Sequence, residues 1–279
     1  DLSKAINKSD AVIIATAPDN HDCIIEKCIH AGKPIFIEKP ISNNLSNLSN
    51  FSKQIKKYDI IVEVGCMLRF HPGIIYLKEV LGNNEFGKIL CFSSYVGQDI
   101  LQWRPNSDLK KSFSIKVESG GGVLAELIHE IDLVILFFGL VKKISCFTQN
   151  SYLKKIKLEE SLANLILETN DNIQGIIQLD MLSQQYRREF HFICEKGLVI
   201  WDYLNGKVIL KNNNSSEVLV SVSEDFDRNQ MFLDHLKFFF NRIDNQIIKP
   251  ACSFDDGKQA LEIIFKARES ANNNKHIFL

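Results

Sequence analysis

Three short apolar runs constrain the fold of this chain most: Ala11-Val12-Ile13-Ile14-Ala15-Thr16, Pro34-Ile35-Phe36-Ile37 and Ile60-Ile61-Val62-Glu63-Val64. Each is too short for a helix and apolar at consecutive positions, the pattern of a strand covered on both faces of a parallel sheet. The segments between them have helical spacing. His21 to Ala31 places Ile24, Ile25, Cys28 and Ile29 on one side and stops at Gly32. Leu45 to Tyr58 follows Asn43 or Asn44 as a cap. Strands alternating with helices of this length build βαβ units with right-handed crossovers. Residues 1–66 therefore read as an α/β layer, and an incomplete one.

The pattern then switches. After a short helix, Pro72 to Leu81, the stretch Lys88 to Val96 alternates like a strand. Further strands are expected at Ile144–Gln149, Leu162–Thr169, Ile173–Met181, Glu189–Cys194, Leu198–Tyr203, Lys207–Leu210 and Val218–Val222, with no helix between them. Asn170-Asp171-Asn172, Glu195-Lys196-Gly197 and Asn205-Gly206 supply turns. Residues 67–279 are thus an α+β domain with a large, mainly antiparallel open sheet. Two helices close it: Gln230–Arg242, where His235 reads as a partly buried structural histidine among Phe232, Phe238 and Phe239, and one opened by Ser253 or Asp255.

Composition excludes several function classes. Thirty-three Lys+Arg against 34 Asp+Glu leave a net charge of −1, so no basic field exists to hold nucleic acid. The seven cysteines form no C-x-x-C pair, which removes zinc and thioredoxin-like readings and suits reduced thiols in a cytoplasm. No apolar run approaches the ~20 residues that span a bilayer.

The candidate chemistry begins at Gly120-Gly121-Gly122, which runs into Glu126, His129 and Asp132 at i, i+3, i+6. One helix is expected to carry all three beside a stripe of Leu124, Ile128, Ile131 and Ile135. His129-Glu130 does not complete a zincin motif, because position 133 is Leu133. Lys39 ends the second apolar run just before Pro40. Ligands of open parallel sheets bind outside the carboxyl ends of strands, so its ammonium is aimed at a crevice. A lysine and a histidine suit alcohol oxidation. The imidazole takes the hydroxyl proton as hydride leaves, and the ammonium stabilises developing alkoxide charge. Asp132 and Glu126 would orient the ring or bind a sugar hydroxyl.

These residues carry a resemblance. Ala15-Thr16-Ala17-Pro18 with His21, Gly32-Lys33-Pro34 through Glu38-Lys39-Pro40, Leu68-Arg69-Phe70-His71-Pro72, Gly120-Gly121-Gly122, His129-x-x-Asp132 and Asp256-Gly257-x-x-Ala260-Leu261 are similar to the Gfo/Idh/MocA oxidoreductases. The resemblance covers essentially the whole chain. It implies an incomplete Rossmann-type parallel sheet joined to the open-sheet domain, NAD or NADP as cofactor, and hydride transfer on a sugar, sugar derivative or polyol. It also implies a homo-oligomer formed through the open sheet. By residue, it implies Lys39, His129 and Asp132, supported by Glu126, as catalytic, with Thr16, Pro18, His21, Glu38 and Lys39 lining the cofactor cleft. Gly97 to Pro105 with Glu126 to Asp132 resembles a surface-sugar branch, in which Trp103 and Arg104 would bind an anionic sugar or fold the loop; Arg69, in the Leu68–Pro72 motif, is a further expected substrate contact.

Two departures stand out. Ala125 sits four residues before His129, where the family has aspartate, and Glu126 follows one position later. The G-x-G-x-x-G phosphate turn is not among these residues. The expectation is a family enzyme seen without its first ~60 residues, whose 279 residues alone bind NAD(H) weakly. The alternative is a catalytically inactive remnant or a sugar-binding association module.

Overall fold

The structure, a computed structural model, describes residues 1–103, 108–223, 225–245 and 247–279. In chain order, helix α1 (Leu2–Lys8) precedes β1 (Val12–Ile14), α2 (His21–His30), β2 (Ile35–Ile37), α3 (Leu48–Lys57), β3 (Val62–Val64) and α4 (Pro72–Gly82). Then come β4 (Ile89–Gly97), α5 (Ile100–Trp103), α6 (Val123–Glu126) and α7 (His129–Phe138). Strands β5 (Val141–Leu153), β6 (Ile156–Thr169), β7 (Gln174–Asp180), β8 (Arg187–Cys194), β9 (Gly197–Asp202), β10 (Lys207–Lys211) and β11 (Ser216–Ser221) follow. Helices α8 (Asn229–Asp244) and α9 (Phe254–Asn273) and strand β12 (Ile277–Phe278) end the chain. Contacts divide it into two compact units, Asp1–Phe70 with Arg228–Glu262, and His71–Asp227 with Ile263–Leu279.

In the first unit, β1, β2 and β3 pair in that order, parallel and in register, with Ile14 beside Ile37 and Ile37 beside Val64. Strands β2 and β3 are buried along their length, as the apolar runs require. Strand β1 is not: Ile13 is 51% exposed. Helix α1, which the sequence pattern did not announce, is capped by Asp1, whose carboxylate accepts the Ser3 N–H at 3.0 Å.

Residues 228–262 join this unit through Glu63, the one charged residue in the middle of an apolar run. Its side chain is fully buried. Oε1 accepts from His235 Nε2 at 3.1 Å and from the Cys252 N–H at 2.8 Å, and Oε2 accepts from Arg242 Nη1 at 2.9 Å. Arg242 also donates to the Val62 and Ile248 carbonyls. A carboxylate with this many donors can be buried; one without them could not. His235 is therefore buried in full rather than in part, its ring stacked on Phe70 at 4.4 Å and edge-on to Phe36.

The second unit is a nine-stranded sheet in the order β11-β10-β9-β8-β4-β7-β6-β5-β12. Only β4 and β7 pair in parallel; the rest are antiparallel. Register explains the two faces. Cys146, Leu165, Ile177, Ser94, Phe190, Trp201 and Val208 form one cross-strand row, all buried. One position along, Ser145, Ile166, Ile176, Ser93, His191 and Ile200 form a row on the other face, where Ile166 and Ile176 are half exposed. On the covered face α7 packs through Phe138, stacked on Phe92 at 4.5 Å. Gly175 sits opposite Phe92, and a Cβ there would fall 2.3 Å from the ring. Strands β5 and β6 form one long hairpin joined by Lys154 and Lys155, both at positive φ (49° and 66°).

Candidate functional site

Parallel register brings three segments out at the same end of the first sheet. These are Ala15-Thr16 after β1, Glu38-Lys39 after β2, and Gly65-Cys66 after β3. Thr16 is exposed, and its carbonyl accepts from His21 Nε2 at 3.0 Å. Pro18 is buried and opens a short 3-10 turn leading into α2. His21 has no solvent exposure, so it holds the Thr16–Pro18 loop from beneath rather than presenting its ring. Glu38 and Lys39 are half-buried, and the peptide between Lys39 and Pro40 is cis. Burial pushes the Glu38 carboxyl above the usual range, opposed by the Lys39 charge, the Lys39 backbone N–H and His235. Arg69 is committed within the unit: Nη1 donates to the Ala251 carbonyl at 2.6 Å and to Asp256 Oδ2 at 3.1 Å. Asp256 in turn accepts the Ser253 N–H, an opening-turn contact for α9.

In the second unit the glycine run is a true turn. Gly120 (φ 83°) is left-handed and Gly122 (φ 87°, ψ 159°) precedes α6, conformations that glycine alone adopts without strain. A Cβ on Gly122 would come 2.5 Å from Glu160 Oε1. That carboxylate accepts the Leu124 N–H at 3.2 Å and is held by Arg268, whose Nε and Nη2 donate at 2.7 and 2.9 Å. Arg268 also donates to the Gly121 carbonyl at 2.8 Å. A buried ion pair thus clamps the turn that launches the helix.

The expected single helix through Glu126, His129 and Asp132 is broken. It ends at Glu126, Leu127 turns out of helical geometry (φ −101°, ψ 31°), and a new helix starts at His129. Leu127 and Ile128 are both buried, so the turn has no polar face to keep continuous. Glu126 is half-buried on the first piece. His129 (6% exposed) and Asp132 (1%) share the second, one turn apart. The apolar stripe Leu124, Ile128, Ile131 and Ile135 is buried as expected. Trp103 ends α5 and is half-buried; Arg104, with residues 105–107, lies outside the described residues.

Charge partners that spacing could not reveal complete the second unit. Glu130, beside His129, is fully buried against Arg188 at 2.8 Å. Arg188 stands over the Tyr203 ring at 5.6 Å. His71 accepts from the Gly73 N–H and from Trp201 Nε1 through Nδ1, and burial, with Arg188 nearby, pushes its imidazole down to about 4.

Each unit thus carries a candidate group, Lys39 at the carboxyl edge of the parallel sheet in the first and His129 at the start of α7 in the second. Residues 1–66 match the "Oxidoreductase family, NAD-binding Rossmann fold" and residues 74–200 the "GFO/IDH/MocA C-terminal domain". The chain belongs to the Gfo/Idh/MocA oxidoreductase family. It is 24% identical to a myo-inositol 2-dehydrogenase of Thermotoga maritima over 97% of this chain and 80% of that one. It is 31% identical to a scyllo-inositol 2-dehydrogenase (NAD(+)) of Bacillus subtilis over 47% of this chain and 35% of that enzyme. The fold is shared with levoglucosan dehydrogenase in complex with NADH and levoglucosan (TM-score 0.88, 18% identity, 100% of this chain and 83% of that one). It is also shared with scyllo-inositol dehydrogenase from Lactobacillus casei with NAD(H) and scyllo-inositol (TM-score 0.78, 21% identity, 100% and 83%).

Proposed function

We propose that this protein transfers hydride between a nicotinamide cofactor and a hydroxyl-bearing carbon of a sugar, sugar derivative or polyol. The observation that carries the reading is the convergence of Thr16, Glu38-Lys39 and Gly65 at the carboxyl edge of one parallel sheet. Those residues fit the nicotinamide-ribose end of the cofactor: an exposed hydroxyl and main chain at Thr16, a half-buried lysine at Lys39, and a glycine, Gly65, over which the Glu38 carboxylate lies. When bound, the cofactor accepts or returns the hydride.

The chain's own work is proton handling. Lys39 stabilises alkoxide charge, and His129 takes or returns the hydroxyl proton. Asp132, one turn along the same helix, orients the imidazole. Glu126 supports it from the preceding helical piece, standing near the position where the family carries aspartate. Arg69, already bonded to Asp256, acts on substrate only through the segment it braces. Trp103 and Arg104 are proposed sugar contacts.

The test is turnover followed by nicotinamide absorbance, with myo-inositol, scyllo-inositol and levoglucosan and each cofactor. Reduction of NAD or NADP by at least one substrate supports the reading. No turnover with any polyol or anhydrosugar, in a protein that binds NADH, would overturn it.

We further propose that two copies associate through the open face of the large sheet, where Phe147, Ile166 and Ile176 are exposed beside the Arg187–Glu189–His191 cluster. Light scattering should give a dimer, and Ile176→Asp should give a monomer; a monomeric wild type rejects this. Cytoplasmic residence is proposed on the seven free cysteines. Among the described residues no helix is long and apolar enough to cross a membrane.

A further inference from the structure

We propose that Cys66 and Cys252 are a redox modification site, a buried dithiol that a hydroperoxide converts to a disulfide. Both belong to the first unit, Cys66 is 3% and Cys252 0% exposed, and their sulfurs lie within 4.8 Å of each other. They are far apart in sequence, and main-chain bonding brings them together. Cys66 follows Gly65 out of β3. Its N–H donates to the Val64 carbonyl at 2.6 Å, and its carbonyl accepts the Arg69 N–H at 3.1 Å. The Gly65 N–H donates to the Ile37 carbonyl at 2.8 Å. Cys252 is held by the same strand. Its carbonyl accepts the Val64 N–H at 3.0 Å, and its N–H donates to Glu63 Oε1 at 2.8 Å. The neighbouring Ala251 carbonyl accepts from Arg69 Nη1 at 2.6 Å. The two thiols are thus carried on fixed, adjacent segments.

An isolated buried thiol is inert, because burial disfavours the thiolate and shuts out bulky reagents. A second thiol within reach changes the outcome. Hydrogen peroxide is little larger than water and reaches Cys66, the more exposed of the pair. The Cys66 thiolate attacks one peroxide oxygen, the O–O bond breaks, and a sulfenic acid forms with release of hydroxide. The Cys252 thiolate then attacks the Cys66 sulfur and displaces a second hydroxide. The two thiol protons convert both hydroxides to water. Each sulfur gives up one electron, and the peroxide takes both. Closing to the ~2.0 Å of an S–S bond requires rotation of both side chains and a small main-chain shift. A thiol reductant reverses the reaction. The bond ties the exit of β3 to the segment that leads into α9. None of this depends on hydride transfer.

The experiment treats the folded full chain with hydrogen peroxide, removes the excess with catalase, unfolds the protein in iodoacetamide and maps unreduced peptides by mass spectrometry. A peptide pair joining Cys66 to Cys252 is expected, about tenfold more abundant than after the same treatment in urea, where preorganisation is gone. Dithiothreitol abolishes it. Cys28 and Cys146, whose thiols burial pushes up to about 11 and about 12, stay alkylated and serve as internal standards. In Cys252→Ser the sulfenic acid meets no second thiol there, so dimedone added at unfolding labels Cys66, which it leaves unlabelled in wild type. Natively folded protein in which both cysteines remain fully alkylated after oxidation overturns the proposal. Equal yields of the pair from folded and urea-unfolded protein do so too. If Cys252→Ser does not fold, the wild-type comparison decides alone.

Discussion

The two units bury charge in different ways. In the first, the buried acid lies on a strand: Glu63 occupies the middle of β3 and gathers His235, Arg242 and the Cys252 N–H from elements more than 170 residues away in sequence. In the second, buried acids brace the segment that carries the candidate histidine. Glu160 and Arg268 clamp the glycine turn, and Glu130 and Arg188 hold the residue next to His129. The first arrangement ties a distant helix to a small sheet; the second fixes the entry angle of one helix. The difference teaches where each unit should fail. Loss of the strand acid should unravel a unit, whereas strain on the large sheet should stay local.

The largest expected effect follows directly. Glu63→Ala strands Arg242 and His235 without their shared acceptor and should cost about 3–5 kcal/mol. Urea melts should show the first unit unfolding early, and a melt like wild type would break the comparison. Next comes pH. His71 is held neutral in the folded state, its pKa depressed to about 4 by burial and by Arg188. The unfolded chain binds the proton from about pH 6.5 downward, while the folded chain does not until about 4. Stability is therefore full above pH 6.5 and lost as pH falls toward 4, on the order of 3 kcal/mol. Melts from pH 7 to 4 on wild type and His71→Gln check it; the variant should have the shallower slope. A smaller effect is expected at Gly175→Ala. The new methyl overlaps Phe92 and should cost about 1–3 kcal/mol as the ring shifts. Near-UV circular dichroism should change while the far-UV spectrum stays.

Much of this architecture is legible in the sequence, and the limits have physical causes. The runs at 12–14, 35–37 and 62–64 announce parallel strands, because apolar runs of that length fit little else; the burial they imply holds for the second and third and fails at Ile13 of the first. The open sheet is legible through alternation, although β5, β6 and β8 run longer than expected and β7 slightly shorter. The β5–β6 hairpin escapes because Lys154 and Lys155 occupy left-handed positions where Asn-Gly would have signalled a turn. The break between α6 and α7 escapes because a segment buried on all sides carries no amphipathic period to interrupt. The joining of residues 228–262 to the first unit escapes for another reason. Glu63 reads locally as a polar flaw in a strand, and its partners lie far along the chain. At the candidate site, Lys39 and His129 are visible as residue types in telling places. The clamps around the segment that carries His129, Glu160 with Arg268 and Glu130 with Arg188, are long-range pairs that no local spacing encodes.

The central proposal is that Lys39 and His129 are both needed for hydride transfer. Its most direct test is a double-mutant cycle on kcat/KM, using whichever polyol the wild type turns over. Lys39→Ala and His129→Ala should each lower kcat/KM by about 10²–10⁴, and the double variant should fall little below the worse single one, since groups acting as a unit are not additive. Wild-type turnover by His129→Ala, with the fold intact, would contradict the account.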